Sequence, residues 1–248
     1  MRIVSLVPSL TELLFDLGLK NKIVGRTRFC IHPKDKIESV EIIGGTKNPN
    51  IPKIIELKPD LIIANKEENR LEDVHELKKF SDVLVTEIKT IDDAIHAIQK
   101  ISEKTGSIQR GEEIINDIKK LLSQIPPTKP LRTAYFIWKK PWMTIGNDTY
   151  IHDVMKRYGL ENIFGDESRY PEITLQEIKN RKADIVLLSS EPYPFSNKHI
   201  QEITKELSNT NVMLVNGEWF SWYGSRMIPA FKQLNDWRSI LSENKNNS

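Results

Sequence analysis

The chain echoes itself, and that echo restricts it to folds built from two similar halves. Residues 11–17 carry an apolar helical stripe, followed by Gly18-Leu19-Lys20-Asn21 and then Ile23-Val24-Gly25. Residues 151–158 are followed in the same way by Gly159-Leu160-Glu161-Asn162 and then Ile163-Phe164-Gly165. Further on, Lys58-Pro59-Asp60-Leu61-Ile62-Ile63-Ala64 resembles Lys182-Ala183-Asp184-Ile185-Val186-Leu187-Leu188, and 83–86 resembles 212–215. One matched tetrapeptide arises by chance; several in the same order point to duplication.

Each half alternates short β-branched runs with amphipathic stretches. Apolar runs entered from a charged turn suit strands covered on both faces. The spacing predicts first-half strands near 2–7, 22–25, 60–64 and 83–86, with helices near 9–17, 50–57 and 69–79. Second-half strands fall near 132–138, 161–164, 184–188 and 212–215, with helices near 149–157, 174–180, 198–207 and 225–243. The fold class is therefore α/β: two lobes with mainly parallel sheets covered by helices, joined by one long backbone helix.

That joining helix is read from residues 90–125. Ile91, Ala94, Ile95, Ile98 and Ile101, then Ile108, Ile115, Ile118, Leu121 and Leu122, recur at helical spacing until Pro126-Pro127. The expected organisation is a lobe at 1–89, a connecting helix at 90–125 and a lobe at 126–248. A continuous helix of this length would reach about 50 Å. Gly106-Ser107 is its weak point, because glycine costs about 1 kcal/mol inside a helix, and two separate helices are the alternative.

Composition removes several function classes. With 36 basic and 34 acidic residues the net charge is +2, too weak a field to draw nucleic acid. No run approaches the ~20 apolar residues that span a bilayer. The single cysteine, Cys30, forms no intramolecular disulfide and lacks the spacing of a structural zinc site. There is no P-loop, no GxGxxG after a strand, no GxSxG and no HExxH. His75, His96 and His199 sit on amphipathic helices and read as surface residues; His152 reads as part of a helix start beside Thr149. Met1-Arg2-Ile3-Val4-Ser5-Leu6-Val7-Pro8 reads directly as a strand meeting a turn, without the basic and longer apolar regions of a signal peptide. The expectation is a cytoplasmic protein, or one whose export signal lies outside this sequence.

Arg2-Ile3-Val4-Ser5-Leu6-Val7-Pro8-Ser9-Leu10-Thr11-Glu12 resembles the opening of the vitamin B12- and siderophore-binding proteins of ABC importers, the helical-backbone metal receptor family. Ile43-Gly44-Gly45-Thr46, with Leu57-Lys58-Pro59-Asp60-Leu61-Ile62-Ile63-Ala64, resembles the middle of that family's first lobe. Gly159-Leu160-Glu161-Asn162-Ile163-Phe164 resembles its second-lobe signature, and Glu218-Trp219-Phe220 is similar to a segment of the corrinoid binders. The resemblance implies a corrinoid or iron chelate held in a cleft between two lobes, docking on an ABC permease, a periplasmic or cell-surface location, a monomer, no intrinsic cofactor and no catalysis. The chain departs from the pattern at Pro52, where the family carries a docking acid; Glu56 or Glu41 would have to substitute. The alternative function is a cytoplasmic metal-chelate or tetrapyrrole carrier, chelatase-like, with the same fold.

Ligands of doubly wound sheets sit beyond the carboxyl ends of the strands, and this rule selects loops without help from the family. In the first half it selects Ser9 as a helix N-cap offering free backbone donors, Arg28 with Phe29, and Glu68 with Asn69. Plain capping and a solvated loop are the alternatives there. Cys30 and His32 tempt a metal reading, but a lone Cys and a His two residues apart are more often packing and turn residues. In the second half it selects Trp138, Trp142, Tyr170, Tyr193, Trp219, Trp222 and Tyr223, with Arg226 as a charged anchor awaiting a ligand or a carboxylate. Tryptophan in loops suits a macrocycle bearing peripheral amides, since each ring pairs apolar area with a polar handle; structural packing is the other reading.

Overall fold

The computed structural model describes residues 1–246. The chain forms two compact units. The first comprises residues 1–88, 92–119 and 223–228. Its strands β1 (Ile3–Ser5), β2 (Ile23–Arg26), β3 (Leu61–Asn65) and β4 (Asp82–Thr86) form one parallel sheet in the order β2-β1-β3-β4. Helices α1 (Pro8–Asp16), α2 (Lys34–Ile37), α3 (Ile51–Glu56), α4 (Leu71–Leu77), α5 (Ile91–Thr105) and α6 (Ile108–Ser123) follow in chain order. β1 and β3 are buried along their whole length, as an inner parallel strand requires. Val4, Leu6, Ile43, Ile54, Ile62 and Leu77 meet in one core cluster, each contributing about 1.5–3 kcal/mol by burial.

The second unit comprises 89–91, 120–222 and the described residues from 229 onward. It contains β5 (Leu131–Phe136), β6 (Trp142–Met143), β7 (Leu160–Asn162), β8 (Glu172–Ile173), β9 (Ile185–Ser189) and β10 (Asn211–Val215). Four of these form a parallel sheet in the order β10-β9-β5-β7, while β6 and β8 pair antiparallel as a two-residue ribbon. Its helices are α7 (Tyr150–Arg157), α8 (Leu175–Asn180), α9 (Asn197–Glu206), α10 (Glu218–Ser221) and α11 (Met227–Asn246). Read from its other edge, this order is that of the first sheet, with β5, β7, β9 and β10 in the places of β1, β2, β3 and β4.

The duplication extends to single hydrogen bonds. The Arg2 N–H donates to the Asp60 carboxylate at 2.6 Å, and the Asp60 N–H returns a bond to the Arg2 carbonyl at 2.8 Å. In the second unit, Arg132 N–H donates to Asp184 at 2.8 Å and Asp184 N–H donates back to Arg132 at 2.8 Å. Each aspartate follows a lysine in the left-handed region, Lys58 at φ 45° and Lys182 at φ 53°. The turn before the third strand thus clamps the entry of the first strand in both sheets.

The 90–125 span corrects the sequence reading. It is not one helix: α5 ends before Gly106, at φ +71°, and α6 starts at Ile108. A Cβ built on Gly111 of α6 would lie 2.5 Å from the Ser102 Cβ of α5. In a continuous helix, residues nine apart would be separated by about 13 Å, so the chain reverses and the two helices pack against each other. Gly111 is therefore required by close approach. Gly111→Ala, which in an open helix stabilises by about 1 kcal/mol, is expected here to destabilise by about 1–3 kcal/mol. Urea denaturation followed by circular dichroism checks the sign, and adding Ser102→Gly should recover most of the loss.

Candidate functional site

Parallel strands place their chemistry beyond their carboxyl ends, where the connections diverge to either side of the sheet. In the second unit that point lies between β5 and β9. The loops after β5, β9 and β10, at 137–143, 190–196 and 216–222, all leave the same edge, with the β9 loop between the other two.

Aromatic rings fill this edge. Trp138, 40% exposed, sets its edge against Tyr193 with centroids 5.5 Å apart. Tyr193 lies 4.7 Å from Phe195, and Trp142 stacks on Phe136 at 5.1 Å and on Phe195 at 6.2 Å. Lys139 is ion-paired with Glu202 and holds its ammonium 5.1 Å above the Trp142 ring. Trp142 is half-buried against the core, so packing and surface readings both apply to it. Trp222 donates its indole N–H to Glu191 at 2.9 Å, and the Ser221 hydroxyl donates to the same oxygen at 2.7 Å. The β9 loop therefore touches both neighbours: through Tyr193 and Phe195 on one side, and through Glu191 on the other. Trp219 is half-buried in α10, and Tyr170 is half-buried beneath Arg169, whose guanidinium stands 5.5 Å from its ring.

Several sequence-derived assignments change. Ser9 is not an N-cap. Pro8 occupies the first helical position, for which its fixed φ is preorganised, so Val7 becomes the cap and Ser9 is buried inside α1. Asn69 is buried, and its amide is committed: the oxygen accepts from Asn65 N–H at 2.8 Å, and the nitrogen donates to the Leu6 and Thr46 carbonyls at 3.3 and 3.0 Å. It holds the loop after β3 together. Neighbouring Glu68 is half-buried, and its backbone N–H donates to Asn65. Arg28 and Phe29 are exposed, with the guanidinium 6.0 Å from a ring that is 53% exposed, so they remain available. Cys30 is buried against the Thr11 and Thr27 hydroxyls at 3.2 and 3.3 Å, and burial pushes its thiol pKa up. His32 is half-buried, and among the described residues no group of three or more His, Cys, Asp or Glu is arranged to hold a metal. Glu41, a candidate docking acid, is paired with Lys53.

Arg226 has a carboxylate partner, one of the two partners its position called for. Within the first unit its guanidinium makes a two-pronged bond to Glu12 of α1, with Nε donating to Oε2 at 2.9 Å and Nη2 to Oε1. Burial raises the Glu12 pKa, an effect that the Arg226 hydrogen bond partly offsets. Tyr223 is buried, and Gly224 at φ +80° lets the segment approach Leu13, where a Cβ would sit 3.3 Å from the Leu13 Cβ.

His199, read as a surface residue, is only 2% exposed. Its Nδ1 accepts from the Ser196 backbone N–H at 2.9 Å, its Nε2 lies 3.4 Å from the Tyr193 hydroxyl, and its ring packs edge-on against Phe195. Desolvation lowers its pKa, which keeps the ring neutral and able to accept. Ser196 and His199 stand at capping-box spacing, and that spacing was the available signal. His152 behaves as expected, donating its N–H to the Thr149 cap at 3.3 Å.

Residues 3–212 match the model of a protein family described as periplasmic binding protein, most of the chain's length. The chain belongs to the periplasmic binding protein family. A vitamin B12-binding protein of Vibrio cholerae is similar over 94% of this periplasmic binding protein and 87% of its own length, at 26% identity. A crystal structure of the periplasmic vitamin B12 binding protein of that species covers 96% of both chains with a TM-score of 0.82 and 25% identity. An uncharacterized ABC transporter substrate-binding lipoprotein of Bacillus subtilis is 28% identical over 75% of this chain and 62% of its own. A periplasmic heme binding protein of Vibrio cholerae also reaches a TM-score of 0.82, over 96% and 98% of the two chains, at 16% identity; that likeness shows the fold alone. Periplasmic binding proteins bind and do not catalyse. Among the described residues of this one, no helix is long and apolar enough to cross a membrane.

Proposed function

We propose that this periplasmic binding protein serves an ABC importer, capturing a corrinoid of the vitamin B12 type, or an iron chelate, on the carboxyl-end loops of its second sheet. The observation that carries the reading is the convergence of Trp138, Trp142, Tyr193 and Trp222 on three adjacent loops at that edge. A metal macrocycle offers a flat apolar face and a polar rim. Tryptophan and tyrosine match it with large rigid area and a hydrogen-bonding handle. The loaded protein delivers its ligand to a membrane permease, from the periplasm or the cell surface.

All five tryptophans lie in the second unit, so intrinsic fluorescence reports on it alone. Titration with cyanocobalamin, haem and a ferric siderophore should give saturable quenching by at least one of them, with a Kd of about 1 μM or tighter. Trp138→Ala should weaken that binding about tenfold without shifting the melting temperature, because the ring is partly exposed and contributes little to the core. Absence of quenching by all three ligands would remove the reading.

A further inference from the structure

We propose that a cavity between the lead-in to β5 and α11 binds a small organic acid of about benzoate size, with its carboxylate held by Arg238. The cavity has a volume of about 230 Å³ and lies within the second unit. It borders Leu131, the first residue of β5, and so sits at the amino end of that strand, away from the carboxyl-end loops where the aromatic rings gather. It is a second site, independent of the corrinoid reading.

A buried cation without a counter-charge marks the place. Arg238 lines the cavity and is almost wholly buried. Its Nε and Nη2 are committed to the Tyr158 carbonyl, the Thr128 hydroxyl and the Lys129 carbonyl, all neutral acceptors. Its Nη1 has no acceptor among the described residues, and no carboxylate there is paired with it: desolvation alone shifts its pKa, downward. A cation removed from water is costly unless an opposite charge compensates it. The end of α7 returns about half a charge through its dipole and leaves the rest for a ligand.

The other walls select the class. The Thr128 oxygen accepts from Arg238, so its own O–H remains to donate, and the exposed Lys129 adds a second positive charge. No Asp or Glu stands among the described residues of the lining. Donors and positive charge without a facing carboxylate favour an anion. Pro127, Leu131 and Leu241 make the remaining wall apolar. An apolar cavity of about 150 Å³ holds benzene, so this one takes a ring or a branched chain together with its carboxylate. A bare inorganic oxyanion would leave the apolar wall uncovered.

The test is a titration of the intact, isotope-labelled chain with sodium benzoate at constant ionic strength, followed by NMR of the backbone amides and the Arg238 Nε–H. Benzoate should shift that Nε–H and the amides of Thr128, Lys129, Leu131, Leu241 and Ser242 saturably, with a Kd of about 1 mM or tighter. Benzyl alcohol, the same ring without the charge, should bind at least about tenfold more weakly. Lys129→Glu alters an exposed side chain and reverses the charge beside the cavity, so it should weaken benzoate about tenfold while the unfolding midpoint stays in place. Equal shifts with benzyl alcohol, or with sulfate at the same ionic strength, would overturn the proposal. So would shifts confined to 137–143, 190–196 and 216–222, or a Lys129→Glu variant that binds benzoate as the wild type does.

Discussion

Arg238→Met should destabilise the second unit by about 3 kcal/mol. Arg238 is 1% exposed on α11. Its Nε donates at 2.7 Å to the carbonyl of Tyr158, the C-cap of α7, and its Nη2 donates to the Thr128 hydroxyl at 2.6 Å and the Lys129 carbonyl at 3.1 Å. A helix ends with carbonyls that have no partner inside the helix and with the negative end of its dipole. The guanidinium supplies donors and positive charge to that end while also fixing the lead-in to β5. Burial lowers its pKa, yet arginine retains its proton in proteins. Methionine fills the volume but leaves the buried Tyr158 carbonyl without its donor, a penalty of about 1–3 kcal/mol, and releases the lead-in to β5. Arg238→Lys should recover little, because a point charge cannot serve two directions at once. Urea denaturation followed by tryptophan emission reads this unit directly. A loss below about 1 kcal/mol would contradict this role for Arg238.

The second large effect belongs to the first unit. Arg226→Ala strands the Glu12 carboxylate in a site that burial has largely desolvated, and a loss of about 3 kcal/mol is expected at neutral pH. Replacing both partners, by Glu12→Leu with Arg226→Leu, should cost much less, since no charge is then left uncompensated. The pH dependence follows from the direction of the shift. The folded Glu12 pKa is raised, so its protonated form is the better tolerated; its contribution to stability is present below the unfolded value and is lost as pH rises through the folded one. The Arg226→Ala deficit should therefore shrink as pH falls toward the ordinary carboxyl range. Because this unit has no tryptophan, circular dichroism is the readout. A deficit that stays constant with pH would show that Glu12 is not the group left behind.

The strands were legible because buried parallel strands are continuous apolar runs bounded by charged turns, a local property. Lys58-Pro59-Asp60 and Lys182-Ala183-Asp184 even marked the clamps that the structure builds. What failed was non-local. The apolar period of 91–122 continues across Gly106, and a penalty of about 1 kcal/mol does not tell whether the chain bends there or runs on. Contact between Ser102 and Gly111 decides it. The partner of Arg226 lies 214 positions away, out of reach of any motif. Ser9 was misassigned because Pro8 is an equally good helix opener one residue earlier. The aromatic loops were visible as tryptophans outside strands, but Glu191, which ties two of them together, carries no local mark of its role.

Amide hydrogen exchange with and without saturating cobinamide tests most directly that the ligand rests on the carboxyl-end loops of the second sheet. Exchange should slow at 137–143, 190–196 and 216–222, while the α8 and α9 amides, which lie outside these loops, keep their rates. Saturated binding that leaves those three loops unprotected would contradict the assignment.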